Sequence, residues 1–266
     1  MTKTRLDVLL AERGLAESRS QAQSLIIAGQ VRVDGQVMLK PATKVEEGVD
    51  ISLDRGPRFV SRGGEKLEAA LEAFAWDVGD RVCADVGAST GGFTDCLLQA
   101  GAAKVYAIDV GYGILHWKLR NDPRVVVMER TNARFVEMLT EPVSRATIDA
   151  SFISLKILLP VVRGWFGPEG GEVVALVKPQ FEAGRAEVSR GDGVIQDPAI
   201  HRQVLLDVLQ AADREGYSVK GLIRSPLKGP KGNTEFLARL KYPGEEMGNL
   251  NELVEKVMDP GNKKIW

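Results

Sequence analysis

Four charged residues carry the side-chain types that proton chemistry on a hydroxyl needs. Lys66 stands in Ser61-Arg62-Gly63-Gly64-Glu65-Lys66-Leu67 and Asp149 in Thr147-Ile148-Asp149-Ala150-Ser151-Phe152. Lys178 follows Ala175-Leu176-Val177, and Glu235 sits in Gly232-Asn233-Thr234-Glu235-Phe236. A hydroxyl is a weak nucleophile at neutral pH. A site that uses one must orient it and take up or stabilise its proton. A lysine can do this when its neighbours fix its position and tune its basicity. Carboxylates can do the orienting. Taken singly, each of the four reads equally well as half of a surface ion pair; the pattern lies in their order.

A second constellation is Asp85-Val86-Gly87-Ala88-Ser89-Thr90-Gly91-Gly92-Phe93, which follows an apolar run and opens a helical one. Glycines let the backbone turn sharply and a ligand approach closely. Asp109 ends the next apolar run, where an acidic side chain can accept ribose hydroxyls in doubly wound folds. The loop lacks both the G-x-G-x-x-G spacing that seats a pyrophosphate and the G-K-[ST] ending of a P-loop. Two acidic strand ends around a wide glycine loop suit a cationic nucleoside without phosphate, such as S-adenosylmethionine. NAD is the weaker alternative.

These residues need a scaffold that brings strand ends together, and the pattern predicts one. Strand-like runs cover 81–85, 104–109, 125–128, 146–148, 173–177, 218–223 and 235–240, with helical stretches at 65–75, 93–100, 151–165 and 198–215. Such alternation predicts an α/β domain: a mostly parallel seven-stranded sheet with helices on both faces. Asp149 and Lys178 then share the carboxyl edge with the glycine loop. Residues 55–60 read as a linker around Gly56-Pro57, giving an expected catalytic domain over 61–243 and a tail over 244–266. Within the tail Leu250, Leu253, Val254 and Val257 suggest a short amphipathic helix.

Residues 1–54 read as a small α+β domain. Leu6, Leu9 and Leu10 have helical spacing before Gly14, and Ser18 can cap a second helix. Val31-Arg32-Val33 and a strand at Val37 flank an Asp34-Gly35 turn, with a third strand near 49–53.

Arg5-Leu6-Asp7, Ser18-Arg19-Ser20-Gln21-Ala22 and Gly29-Gln30-Val31-Arg32-Val33-Asp34-Gly35 resemble the ribosomal-protein-S-four-type RNA-binding domain over most of residues 4 to 53. That resemblance implies that Arg5, Arg19, Gln21 and Arg32 face RNA. In the second part, the glycine loop resembles the first motif of Rossmann-type methyltransferases. The ordered Lys66, Asp149, Lys178 and Glu235 resemble the tetrad of FtsJ-like RNA 2′-O-methyltransferases, and the two-domain arrangement resembles the TlyA family. The matching stretches are 60–67, 85–93, 149–154, 176–181, 191–198 and 229–237. The resemblance implies methyl transfer from S-adenosylmethionine to a ribose 2′-hydroxyl of ribosomal RNA, cytidine being the expected nucleotide, on free RNA or ribosomal subunits. Lys178 would act on the hydroxyl, Asp149 and Glu235 would orient the lysines, and Lys66 would add charge beside the ribose. Asp85, Gly87, Ser89, Gly91, Gly92, Phe93 and Asp109 would hold the cofactor.

The glycine-bearing loop after Lys178 suits a substrate-facing segment in which Arg185 and Arg190 meet phosphates, and Lys228 and Lys231 form a second basic turn. For Phe93, Phe152 and Phe181 core packing is expected over base stacking. The formal net charge of -1 and pI of about 6.2 exclude a protein that coats nucleic acid by bulk charge, leaving local basic faces. Cys83, Cys96, His116 and His201 lack metal-ligand spacing, so no metal site and no disulfide are expected. Asp7, Glu12 and Arg13 interrupt the first apolar run, so no secretory leader is expected, and no stretch approaches a membrane span. The expected compartment is the cytoplasm. The rival readings are a non-catalytic RNA-binding factor on the same fold and a membrane-active haemolysin, the older label of the family.

Overall fold

The computed structural model describes residues 3–54, 56–184, 193–245 and 248–259. The chain divides into two compact units, Met1–Arg58 and Phe59–Trp266. Phe59, only 4% exposed, packs in the core of the second unit, and the Val60 amide donates to Asp95 Oδ2. The expected linker is therefore shorter at its far end: residues 59 and 60 belong to the catalytic unit.

The first unit runs β1 (Lys3–Arg5), α1 (Leu6–Glu12), α2 (Arg19–Ile27), β2 (Val31–Val33), β3 (Gln36–Met38), β4 (Lys44–Glu46) and β5 (Ile51–Leu53). Ser18 caps α2 by accepting the Gln21 amide. Asp34 and Gly35 both take positive φ, which is what a two-residue hairpin turn with native strand twist demands. β2 lies between β3 and β5, antiparallel to both. A second ladder, β1 with β4, escaped the sequence pattern because its two three-residue strands are mostly polar. Leu6, Leu9, Leu10, Ala22 and Ile26 from the helices close over Val31, Val33 and Val45.

The second unit runs α3 (Gly63–Ala73), β6 (Val82–Val86), α4 (Gly92–Gln99), β7 (Lys104–Ile108), α5 (Trp117–Arg120), β8 (Val125–Met128), β9 (Arg145–Ile148) and α6 (Leu155–Arg163). It continues with β10 (Gly171–Val177), α7 (Pro179–Glu182), α8 (Pro198–Arg214), β11 (Ser218–Arg224), β12 (Phe236–Tyr242) and α9 (Leu250–Met258). The seven strands form one sheet in the order β11-β12-β10-β9-β6-β7-β8, parallel except for β12. The period of two along each strand divides the core. In β10, Val173, Ala175 and Val177 face a cluster with Leu158, Leu205 and Val208, while Val174 and Leu176 face one with Leu67, Phe93 and Leu97.

Two elements depart from expectation. α6 starts at Leu155 and not near 151, because Phe152 takes φ 64 and Ser154 caps the helix by accepting the Lys156 amide. α9 is no loose tail: Val254 and Val257 are buried in the core formed with α8. Cys83 and Cys96 are buried free thiols, and burial pushes the Cys83 thiol up to about 12. Among the described residues no helix is long and apolar enough to cross a membrane.

Candidate active site

Strand order reverses at β6: the chain proceeds to β7 and β8 on one side, then returns to place β9 on the other. In parallel sheets the two loops leaving such a point diverge and open a crevice at the carboxyl edge. Here those loops carry Gly87 and Asp149. The Asp149 amide donates to the Val86 carbonyl at 2.9 Å. A Cβ at Gly87 would lie 2.7 Å from the Asp149 carbonyl oxygen, and φ is 84, so only glycine lets the two strand ends come this close.

β10 adds Lys178 to the same edge. β12 runs the other way, so its beginning lies there too, and the pairing of Val177 with Phe236 sets Glu235 next to Lys178 across the ladder. The first turn of α3 brings Lys66. The four residues form two ion pairs: Lys178 Nζ with Asp149 Oδ1 at 2.6 Å, and Lys66 Nζ with Glu235 Oε2 at 2.6 Å. Lys178 Nζ also donates to the carbonyls of Asp149 and Ala150 and to Ser151 Oγ, at 3.2–3.3 Å. Gln180 Nε2 reaches Glu235 Oε1 at 3.4 Å. Buried charges persist only when paired and hydrogen-bonded, and these are.

All four line a cavity of about 760 Å³ whose walls also include Gly87, Ser89, Gly92, Phe93, Lys228 and Lys231. A smaller cavity of about 280 Å³ shares Gly87, Ser89 and Asp149 with it and continues past Asp109, Val110, Thr131, Asn132 and Leu158. Asp109 braces the glycine loop: Oδ2 accepts the Ser89 amide at 2.8 Å and Oδ1 the Gly111 amide at 2.7 Å. The smaller cavity, with the carboxylates of Asp109 and Asp149 and apolar walls from Ile108 and Leu158, fits an adenosine. The larger one shares Gly87 with it and includes Lys66 and Lys178. The carboxylates of Asp109 and Asp149 in the smaller lining fit a nucleoside whose substituent is cationic.

The expected cofactor residues divide. Gly87, Ser89, Gly92, Phe93 and Asp109 line the cavities. Asp85 does not: it is fully buried beneath the loop, accepting Thr94 Oγ at 2.7 Å and Thr147 Oγ at 3.0 Å. Its role is to tie the loop and α4 to the sheet. Gly91 also stays out of the lining, because it begins α4 in the left-handed conformation against Leu119. Phe93 packs in the core as expected, but Phe152 is 90% exposed at the cavity mouth, its ring 4.9 Å from that of Phe181. Ser89, Phe152 and Lys231 are non-glycine residues with positive φ on the cavity wall, the kind of strain that surrounding structure must sustain at a working site.

Lys228 and Lys231 lie on the cavity wall as expected, whereas Arg185 and Arg190 fall outside the described residues. In the first unit Arg5 and Arg19 both bind Asp7, and Arg32 lies 3.5 Å from Asp54. The Gln21 carbonyl oxygen accepts the Glu17 amide in a capping contact. Arg62, Gln180, Asn233 and Asn132 were missed. Asn132 had a signal: β8 is a parallel strand, so the segment after Met128 must reach the same edge as Asp109.

A parallel sheet with one reversed strand, a nucleoside cleft at its switch point and lysines beyond define a Rossmann-like methyltransferase that uses S-adenosylmethionine. Residues 59–242 match the FtsJ-like methyltransferase family and residues 4–51 match the S4 domain. The chain belongs to the FtsJ-like methyltransferases and, among them, to the TlyA-type proteins that carry an S4 domain. It is 50% identical over 260 residues to the Bacillus subtilis protein named "Putative rRNA methyltransferase YqxC", covering 96% of this chain and 92% of that one. It is 49% identical to the Mycobacterium tuberculosis "16S/23S rRNA (cytidine-2'-O)-methyltransferase TlyA", covering 90% of each. A solved structure described as "Putative hemolysin from Streptococcus thermophilus" superposes with a TM-score of 0.71 at 45% identity, covering 97% of this chain and 96% of the other.

Proposed function

We propose that this chain methylates the 2′-hydroxyl of a cytidine in ribosomal RNA. The reading rests on one observation above the others: Asp149, paired with Lys178, lines both the nucleoside cleft and the wider cavity, and the Lys66–Glu235 pair lies beside it across the β10–β12 ladder. Gly87, Ser89, Gly92, Asp109 and Asn132 would hold S-adenosylmethionine, which would supply an electrophilic methyl group. Asp149 and the carbonyls around it fix Lys178 Nζ. From that position Lys178 hydrogen-bonds the 2′-oxygen and stabilises the negative charge that grows there. The hydroxyl proton passes to water at the part-exposed Asp149 carboxylate as the methyl group would be exchanged from sulfur to oxygen. Glu235 holds Lys66, whose charge adds to the same field. Both lysines are almost fully buried, so their charges act with little screening by water.

The mouth of the cavity suits a nucleotide. Arg62, Lys228 and Lys231 offer charge for phosphates on either side of the ribose, and the exposed Phe152–Phe181 pair offers a face for an extruded base. Arg5, Arg19 and Arg32 extend the RNA contacts onto the S4 domain, and Gln21 adds a donor. The named activities of the two relatives support cytidine and ribosomal RNA as the substrate class.

The test is transfer of labelled methyl groups to separated ribosomal subunits that lack the modification, with 2′-O-methyl mapping of the product. Label at one defined cytidine ribose is the expected outcome; label on a base, or none in either subunit, defeats the proposal. Lys178→Ala retains cofactor affinity and loses about 10²–10⁴-fold in kcat. Undiminished turnover in that variant would remove Lys178 from its role.

A further inference from the structure

Asp7 is an oddity on a surface meant for a polyanion. Its carboxylate is fully buried at the second position of α1, yet it faces the cations expected to meet RNA. Arg5 grips it with two donors, Nε to Oδ1 at 3.0 Å and one Nη to Oδ2 at 2.9 Å. Arg19 Nε reaches Oδ2 at 3.0 Å from the first turn of α2, and Gln23 Nε2 donates to the same oxygen at 2.8 Å. The hydrogen bond from Arg5, reinforced by Gln23 and Arg19, holds the Asp7 carboxyl well below the usual carboxylate range against the opposing effect of burial. One anion thus joins the start of α1 to the start of α2 through two arginines whose side chains remain 40% and 54% exposed.

The donors in use decide what remains. Arg5 commits one edge of its guanidinium to Asp7 and keeps its other Nη. Among the described residues Arg19 commits only Nε, so the edge formed by its two Nη groups, the one that matches a phosphate bidentately, stays available. An exposed arginine loses rotamer freedom on binding a phosphate. An arginine already fixed by a buried carboxylate loses less.

We infer that Asp7 is a positioning residue for RNA binding, holding the Arg5 and Arg19 guanidiniums in one fixed arrangement that takes a backbone phosphate. The inference rests on the reading that those arginines face RNA. Its consequence has a sign opposite to that of simple charge accounting. Removing a negative charge beside a polyanion should tighten binding. If Asp7 orders the arginines, its removal weakens binding instead.

The experiment measures affinity and methyl-transfer kinetics of the full chain on unmodified ribosomal subunits at one fixed salt concentration. Asp7→Asn is expected to weaken binding about tenfold, the scale of two freed arginines. KM for the subunit rises while kcat and cofactor affinity hold, a split that general misfolding would not produce. In an Arg19→Ala background Asp7→Asn costs much less, since one of the ordered groups is gone. Unchanged or tighter binding by Asp7→Asn, with Arg5→Ala and Arg19→Ala each weaker, overturns the inference and leaves the RNA face intact. No effect of either arginine variant overturns the RNA face itself. If Asp7→Asn fails to fold, Arg19→Lys decides: it keeps the charge and loses the fork, and binding as tight as wild type refutes the proposal.

Discussion

Lys66–Glu235 and Lys178–Asp149 are equal in length at 2.6 Å, but their carboxylates differ in access to water. The Glu235 side chain is wholly buried, whereas that of Asp149 is 23% exposed. Removing Lys66 leaves a buried carboxylate whose remaining hydrogen-bond donor among the described residues is the Gln180 amide, which costs about 3–5 kcal/mol. Removing Lys178 leaves a carboxylate that water can reach. Lys66→Ala is therefore expected to be much less stable than Lys178→Ala in denaturant titration, although both lose methyl transfer. The double variant Lys66→Met/Glu235→Leu takes the charges out together and should recover most of the stability with none of the activity. Equal stability losses in the two single variants would show that burial does not separate the pairs. Gly229 belongs to the same account: a Cβ there would lie inside the Glu235 carboxylate, so the loop is shaped around that side chain.

At the scale of elements, the joint between β6 and α4 is held by Asp85 beneath the cofactor loop. Burial pushes its carboxyl up to about 7, while hydrogen bonds from Thr94 and Thr147 favour the ionised form without prevailing. An acid whose folded value lies above its unfolded one binds its proton more tightly when folded. Its contribution to stability is then greatest below about pH 4 and declines as pH rises to about 7. Asp85→Asn should flatten that decline; denaturation midpoints at pH 5 and pH 8 check it, and an unaltered slope would place the titration elsewhere. Asp85 also marks where legibility ended. An acid at a strand end looks the same in sequence whether it faces a ligand or, as here, supports the loop that does. The seven strands were legible because alternating apolar residues separate the two cores, and the common edge of Asp149 and Lys178 because both end parallel strands. Lys66, on α3, and Glu235, ahead of the reversed β12, were suggested only by the family resemblance. Phe152 was not: its positive φ, which turns the ring outward and delays α6, leaves no trace in hydrophobic spacing. The anchoring of α7 was equally hidden, since it depends on Glu182 accepting Ser154 Oγ and the Leu155 amide across 27 and 28 residues of sequence.

On the scale of the whole molecule, a net charge of -1 gives RNA no long-range attraction, so binding depends on where the charges stand. Among the described residues around the large cavity five are cationic, Arg62, Lys66, Lys178, Lys228 and Lys231, against two anionic ones, Asp149 and Glu235. Away from the cavity Lys220 and Lys241 share Glu245, holding its carboxyl down at about 2. At physiological salt a charge is felt over roughly 8 Å, so equal changes in net charge should have unequal effects. Lys228→Gln/Lys231→Gln removes two cations from the cavity wall and should lower the slope of log affinity against log salt by roughly 1.4, the value for two phosphate contacts on a single strand. Lys220→Gln/Lys241→Gln makes the same change in total charge and should leave the slope alone. Equal slopes for the two double variants would mean that bulk charge governs binding. A loss confined to the first would place the RNA at the mouth of the cavity that holds Lys178.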